Sequence, residues 1–434
     1  MIRKITGSML LAAILLTASA QSTTKISGKV VDSDNNEPLE YASISVKGKA
    51  FGTITNSDGK FDLYMPSIFL SDTVMISLLG YAPHFIIGEV LFASDKRLIK
   101  LRPKVLVLQE VVIKDKTPTA SEILATAFRD VEANYPTDPY VYSGFVREFW
   151  EENKKTVSLV EGVFDIYDDG YKSKRKKSMR PDEKINLKFA RASENHMNEA
   201  FRSAIGKYNV LTAVLEWNQV KYSRPKGARG LKAGEPVLED VVFSNNRTLY
   251  VVSLVSHDAS NELFERKESY YIDDETFAIK KFTSKEYARK GFYRSPQWSL
   301  DSIHSYQAKA VESVYEFEEY NGKMYLKYFR ETGLYDIHNS MTKSVEFEIA
   351  GTTLFVVTDI TAIDKQVAIN TMDPLKNLAL QATPYDESFW TNYDQVKLVP
   401  LTDKQLRDLE ADESLTEQFI KSGLGTPNGR VKKR

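Results

Sequence analysis

The chain has 434 residues, 42% of them hydrophobic and 27% charged, with 58 Lys and Arg against 59 Asp and Glu, a formal net charge of -1 and no cysteine. That balance favours an ordinary folded protein over a disordered or collagenous one and offers nucleic acid no whole-protein basic footprint, while the absence of cysteine excludes disulfide scaffolds and thiolate zinc sites. At roughly 100–200 residues per domain the length predicts two or three domains.

Arg3 and Lys4 stand ahead of an apolar run from Met9 to Leu16, and Ala18-Ser19-Ala20 comes next with the small-x-small pattern that signal peptidase accepts. Residues 1–20 therefore read as a cleaved secretory signal, with the mature chain expected to begin near Gln21. The run is shorter than the ~20 apolar residues that cross a bilayer, and no later segment reaches that length without charges. No transmembrane span is expected, and anchoring through a lipidated cysteine is closed to a chain without cysteine.

From Ile26 to Pro66 short alternating apolar runs are separated by turn clusters, the pattern of antiparallel β structure. Strands are predicted over Ile26 to Val31, Ala42 to Val46, Gly52 to Thr55, Lys60 to Tyr64, Thr73 to Leu78, His84 to Ile87 and Leu98 to Leu101. Asn36-Glu37-Pro38 and Asn56-Ser57-Asp58-Gly59 supply turns, with Gly59 free to take the positive φ of a hairpin. Such a unit suits a small β-sandwich.

The ordered residues Gly28, Asp32, Pro38-Leu39, Ala42, Gly52-Thr53, Thr55, Asp58-Gly59, Phe61, Pro66 and Leu79-Gly80-Tyr81 resemble the carboxypeptidase regulatory-like domain, a transthyretin-like sandwich. The resemblance implies a module that sits directly after the signal peptide in Bacteroidetes cell-envelope proteins, including TonB-dependent outer-membrane receptors. Leu106 to Ile113 resembles the segment that joins it to the rest of such proteins. It also implies a folding or docking module without active-site residues. Gly28, Pro38, Ala42, Gly52, Thr55, Gly59, Phe61, Gly80 and Tyr81 are then structural motif positions, the glycines serving turns and close strand packing.

The chain beyond Ile113 is too short for a receptor's plug and about twenty-two strands of ~9–11 residues, so no receptor barrel is expected. Thr119 or Ser121 caps a predicted helix running to about Asn134, which Tyr135-Pro136-Thr137-Asp138-Pro139 stops. Long alternating segments then cover Val141 to Trp150, Thr156 to Tyr167, Leu238 to Phe243, Thr248 to Ser256, Glu268 to Asp273, Ala278 to Tyr287, Ser305 to Glu318, Met324 to Thr332 and Ser344 to Ile349. Further helices are predicted at Met197 to Ile205 and Asn209 to Trp217. The fold class is mainly β, a sandwich and then a curved antiparallel sheet domain with a few packed α-helices. Glu161 to Tyr167, Tyr271 to Ile279 and Tyr385 to Asp394 make this part similar to periplasmic half-barrel proteins of the lipoprotein-carrier type, which implies binding and transfers no catalytic residues. The expected organisation is signal peptide 1–20, sandwich 26–103, linker 104–118, sheet and helices 119–365, and a C-terminal extension with a basic tail over 366–434.

His196 and Glu199, at i and i+3, share a helix face if the segment is helical, and His304-Ser305-Tyr306 lies about a hundred residues on, a superficial likeness to the zinc set of metallocarboxypeptidases. Against it stand an antiparallel pattern where such enzymes alternate strand and helix, the sandwich preceding the rest, and no match for the substrate-binding arginines or the late general-base glutamate. The expectation is no catalytic, metal or cofactor-binding residue, with a zinc metallocarboxypeptidase-like hydrolase through His196, Glu199 and His304 as the enzyme alternative. Lys172, Lys174, Arg175, Lys176, Lys177 and Arg180 form a basic cluster suited to phosphate-bearing lipid or acidic glycan, or simply to water, and Arg430 to Arg434 a basic tail. The 23 Tyr, 22 Phe and 4 Trp suit strand packing first, and a sheet face lined by them suits an apolar, peptide or glycan ligand. The sequence thus predicts an exported non-catalytic envelope protein that binds a ligand or a periplasmic or outer-membrane protein partner. A role as accessory component of a TonB-dependent uptake system, docking edge to edge, is the competing reading.

Overall fold

The computed structural model describes residues 23–49, 51–94, 97–104, 118–172, 184–194, 196–199, 202, 215, 218–222, 231–244, 247–258, 264–288, 303–362, 372–373, 376–392 and 399–423. The expected signal peptide, Leu106 to Ile113, the basic cluster beyond Lys172 and the tail Arg430 to Arg434 lie outside these residues.

The first unit comprises β1 (Thr23–Asp32), β2 (Ser43–Val46), β3 (Gly52–Ile54), β4 (Lys60–Pro66), β5 (Thr73–Ser77), β6 (His84–Ile87), a short helix α1 (Gly88–Ala93) and β7 (Leu98–Leu101). Two sheets result, ordered β4-β1-β7 and β3-β2-β5-β6, with the β1–β7 pair parallel. Ile26, Val30, Ile44, Phe61, Leu63, Val74 and Ile76 fill the space between them. Gly28 sits directly across from Phe61, and a Cβ there would fall 2.6 Å from the phenyl ring, so the glycine exists to admit the aromatic. Helix α1 has no counterpart among the predicted elements, because Ile87 precedes it without a side-chain cap.

The second unit holds α2 (Ala120–Arg129), α3 (Val131–Asn134), β8 (Tyr140–Glu152), β9 (Lys155–Asp168), β10 (Lys184–Ala192), α4 (Gln219–Tyr222), β11 (Leu231–Ala233), β12 (Val237–Ser244), β13 (Arg247–Asp258), β14 (Phe264–Asp273), β15 (Ile279–Ala288), β16 (His304–Tyr320), β17 (Lys323–Asn339), β18 (Ser344–Ala362), α5 (Glu387–Asn392), α6 (Asp403–Leu409) and α7 (Leu415–Gly423). Thr119 caps α2 in a reciprocal capping box with Glu122, and the helix breaks at Asp130 into α2 and α3. The strands join in one 11-stranded sheet, β10-β9-β8-β18-β17-β16-β15-β14-β13-β11 with β12 also on β13, in which β18 returns to pair with β8. No described helix is long and apolar enough to cross a membrane.

Two strands run well past their predicted ends. β17 and β18 continue through Gly333 and Gly351, which face each other across the ladder. Each glycine is roofed by a ring, Gly333 by Tyr335 and Gly351 by Trp150, so these residues mark close packing inside a strand and end nothing. β10 is a strand that the alternation pattern does not predict. Of the predicted helices at Met197 to Ile205 and Asn209 to Trp217, only Glu199, Arg202 and Leu215 are described in helical backbone.

Replacing Gly28 by Ala forces a methyl into Phe61 and toward the Arg97 carbonyl, 2.9 Å away. The expected loss is about 1–3 kcal/mol in urea unfolding, partly recovered by adding Phe61→Leu. An unchanged midpoint for Gly28→Ala would show that the ring moves aside freely.

Candidate functional site

The sandwich meets the large sheet by the flank that carries β2 and β3. Ile54 packs with Val314, Tyr328, Leu354 and Val356. Tyr41 stacks on Tyr328 at 6.4 Å, and the Arg330 guanidinium lies 4.5 Å from the Tyr41 ring centre. Directional bonds fix the pose: Ser45 Oγ donates to Glu318 at 3.0 Å, Lys327 Nζ donates to Ser43 Oγ, and Asn56 Nδ2 donates to the Pro400 carbonyl at 3.0 Å. A shallow cleft along this seam is lined by Lys49, Phe51, Tyr320, Tyr325, Lys327 and Ile360 among others.

The flank carrying β6, α1 and β7 behaves differently. Six of the twelve large hydrophobic side chains exposed among the described residues fall between positions 68 and 98: Ile68, Phe85, Ile87, Val90, Phe92 and Leu98, each 40–66% exposed. Backbone bonds gather them. Gly88 N donates to Asp72 O at 3.0 Å and Glu89 N to Leu70 O at 2.8 Å, which ties the start of α1 to the turn holding Ile68. Arg97 Nη2 donates to Phe92 O at 2.9 Å, which ties its end to the approach of β7. Lys47 lies 5.7 Å from the Phe85 ring centre and Arg97 5.9 Å from that of Phe92. β6 pairs only with β5 among the described strands, so its outer edge is open.

Inside the large sheet, Val146, Phe355, Phe329, Tyr315, Phe282, Tyr270 and Val252 stand opposite one another on successive strands. This apolar band receives Ile123, Leu124, Ala127 and Phe128 of α2. Two residues further along each strand the same face turns polar: Glu148, Thr353, Glu331, Ser313, Ser284 and Glu268. Glu148 is 3% exposed and accepts from Trp150 Nε1 at 2.6 Å, and burial pushes its carboxyl up to about 7. Glu331 accepts from Ser313 Oγ at 3.0 Å and is raised to about 7 by burial, with the neighbouring Glu286 and Glu148 charges adding to it. Burial raises Glu268 as well, opposed by Arg266 and the Tyr270 hydroxyl. On the opposite face Glu161 receives both Arg147, Nε at 2.7 Å, and Arg191, Nε at 2.7 Å. Burial alone would raise Glu161, yet Arg191 and Arg147 together hold it below the usual range.

The predicted motif residues all lie within the sandwich. Gly59 and Gly80 take φ of 73° and 85°, Pro38 bridges Val31, and a Cβ on Gly52 would lie 2.4 Å from the Ile44 carbonyl. Thr55 Oγ1 donates to Leu39 O at 2.6 Å and accepts from Ala42 N at 2.8 Å, while Tyr81 donates to Asp32 at 2.9 Å. They are spread over the turns and core of the sandwich, and of them Gly52 lines the seam cleft. The shared helix face assumed for His196 and Glu199 is absent. His196 precedes the helical backbone because its N–H donates to Val157 O at 3.0 Å and Met197 is buried beside Trp150 and Val157. His196 lies 3.8 Å from Glu194 and His304 lies 3.2 Å from Glu346, and among the described residues no three His, Asp or Glu side chains form a metal-binding group. Sequence reading misses the carboxyl row. Its only signal is a glutamate within an inward run such as Val146, Glu148, Trp150, which alternation cannot single out when both faces of a strand are buried.

The raised carboxyls give a definite pH dependence. A folded value of about 7 against an ordinary 4.5 means that this contribution is fully present below about pH 4.5 and is lost as pH rises through 7. Glu148→Gln is therefore expected to gain about 1–3 kcal/mol over the parent at pH 8, with the gap closing toward pH 4. Urea unfolding at both pH values checks this, and a gap independent of pH would remove the account.

Residues 26–113 match the family model described as CarboxypepD_reg-like domain. Over 126 residues the chain is 29% identical to the TonB-dependent receptor SusC of Bacteroides thetaiotaomicron, covering 29% of this chain and 11% of the receptor, so it spans about a tenth of that relative's length. Among solved structures, a LolA superfamily protein from Nitrosomonas europaea aligns with 59% of this chain and 99% of its own at 14% identity and TM-score 0.26. A putative outer membrane lipoprotein-sorting protein domain from Vibrio parahaemolyticus aligns with 57% and 95% at 10% identity and TM-score 0.23. Residues 26–113 are a CarboxypepD_reg-like domain, joined in this chain to an 11-stranded antiparallel sheet.

Proposed function

We propose that the chain is an exported, non-catalytic cell-envelope protein that acts by docking, with the sandwich (26–103) and the sheet with its helices (119–365) as its two working domains. The sheet holds the sandwich by the β2–β3 flank and leaves β6, α1 and β7 to meet another component of the periplasm or outer membrane. The observation that carries this reading is that six of the twelve large hydrophobics exposed among the described residues fall between positions 68 and 98. Exposed apolar side chains gathered along one stretch of the chain in this way mark interaction sites, and an open edge strand beside them adds backbone pairing capacity. The signal-like N-terminus and the likeness to a TonB-dependent receptor support an envelope setting, in which accessory service to an uptake receptor is one form the docking takes. The hydrolase alternative loses its motive once His196 and His304 each sit beside a different carboxylate.

A photo-crosslinking residue placed at Val90 or Phe92 is expected to capture an envelope component in cells, while one at Met341, an exposed apolar position at 78% in the turn between β17 and β18, captures none. Equal capture at all three positions, or none at Val90 and Phe92, would remove the docking reading.

A further inference from the structure

We infer that what the β6–α1–β7 flank meets is an anionic membrane surface; the inference rests on the docking reading and names its partner. The side chains of Ile68, Val90 and Phe92 are 66%, 57% and 45% exposed, so they stand out from the surface and enclose no groove for a protein knob. β6 has only four residues, so strand pairing by a protein partner would engage Phe85 and Ile87 and leave Ile68, Val90, Phe92 and Leu98 in water. A bilayer needs no single shaped groove and takes protruding apolar groups into the headgroup boundary. Among the described residues from Ile68 to Lys104 the basic ones, Arg97, Lys100, Arg102 and Lys104, outnumber the acidic ones, Asp72 and Glu89, and Asp72 is paired with Lys49 at 2.9 Å. Lys47 and Arg97 also stand over the exposed Phe85 and Phe92 rings. Cations set beside apolar side chains match lipid phosphate outside and acyl chain beneath, each basic residue adding attraction to an anionic leaflet.

Flotation of the mature protein with vesicles tests this. The chain is expected to float with phosphatidylethanolamine–phosphatidylglycerol vesicles, less with phosphatidylcholine alone, and to be released as salt rises past the range where the Debye length is about 10 Å. The Val90→Asp/Phe92→Asp variant is expected to lose at least tenfold in bound fraction. Lys47→Gln/Arg97→Gln is expected to lose several-fold on the anionic vesicles and little on phosphatidylcholine, and Met341→Asp to float like the parent. Near-UV circular dichroism confirms that each variant is folded. No flotation of the parent, or equal flotation of Val90→Asp/Phe92→Asp, overturns the inference. If the parent fails to float while a crosslinker at Val90 captures an envelope protein, the lipid surface is wrong and docking stands; if both fail, docking falls with it.

Discussion

Eleven strands in one antiparallel sheet offer two broad faces, and neither can stay both apolar and wet. One face is covered by α2 and α3 over the band from Val252 to Phe355. The other is covered in two parts, by the sandwich over Val314, Tyr328 and Val356 and by the C-terminal helices over Leu159 and Phe149. The CarboxypepD_reg-like domain therefore has a structural role before any docking: without it a hydrophobic stretch of β16 to β18 would face solvent. Its own β2–β3 surface is partly apolar for the same reason, with Ile54 1% exposed.

The C-terminal cover is held by charge as well as by apolar contact. Glu161, 1% exposed, takes both Arg147 and Arg191, and Arg191 is flanked by the rings of Trp390 at 4.1 Å and Phe419 at 4.3 Å. Arg147 also donates to the Val399 carbonyl. A buried triad of this kind gains little net stability over apolar packing, because desolvating three ions offsets most of their attraction. Its geometry is nonetheless demanding. Only one seating of the C-terminal segment places two rings and a carbonyl around these guanidinium groups, so the triad selects that seating over others.

Much of the fold is legible in the chain because local alternation and turn chemistry act over a few residues. The sandwich strands, the capping box at Thr119 and the run of hairpins arise from patterns of that length. Relations between distant residues do not show. Tyr41 on Tyr328 and Asn56 on Pro400 join positions hundreds of residues apart, and nothing in either local stretch encodes the partner. Gly333 and Gly351 look like strand ends because a glycine signals a break unless the ring that covers it is known. The pairing of His196 and Glu199 fails at the same level: an i, i+3 spacing speaks only after the helix is established, and β9 takes the His196 N–H. The carboxyl row is invisible because a glutamate pointing inward and one pointing outward are spelled alike in a strand buried on both sides.

The two flanks of the sandwich divide the kinds of interaction between them. At β2–β3 the contacts are directional, with Ser45, Ser43 and Asn56 bonded to Glu318, Lys327 and Pro400 around the Tyr41–Tyr328 stack. Hydrogen bonds and ring stacking fix orientation and lose strength steeply when misaligned. At β6–α1–β7 the available groups are aliphatic and aromatic carbon with cations close by, an attraction that is non-directional and tolerant of an uneven partner. A module fixed rigidly at β2–β3 keeps its β6–α1–β7 flank at a set place relative to the large sheet. Placing the apolar surface on the small domain, away from the long strands, also keeps it off the part of the molecule most able to add further strands and aggregate.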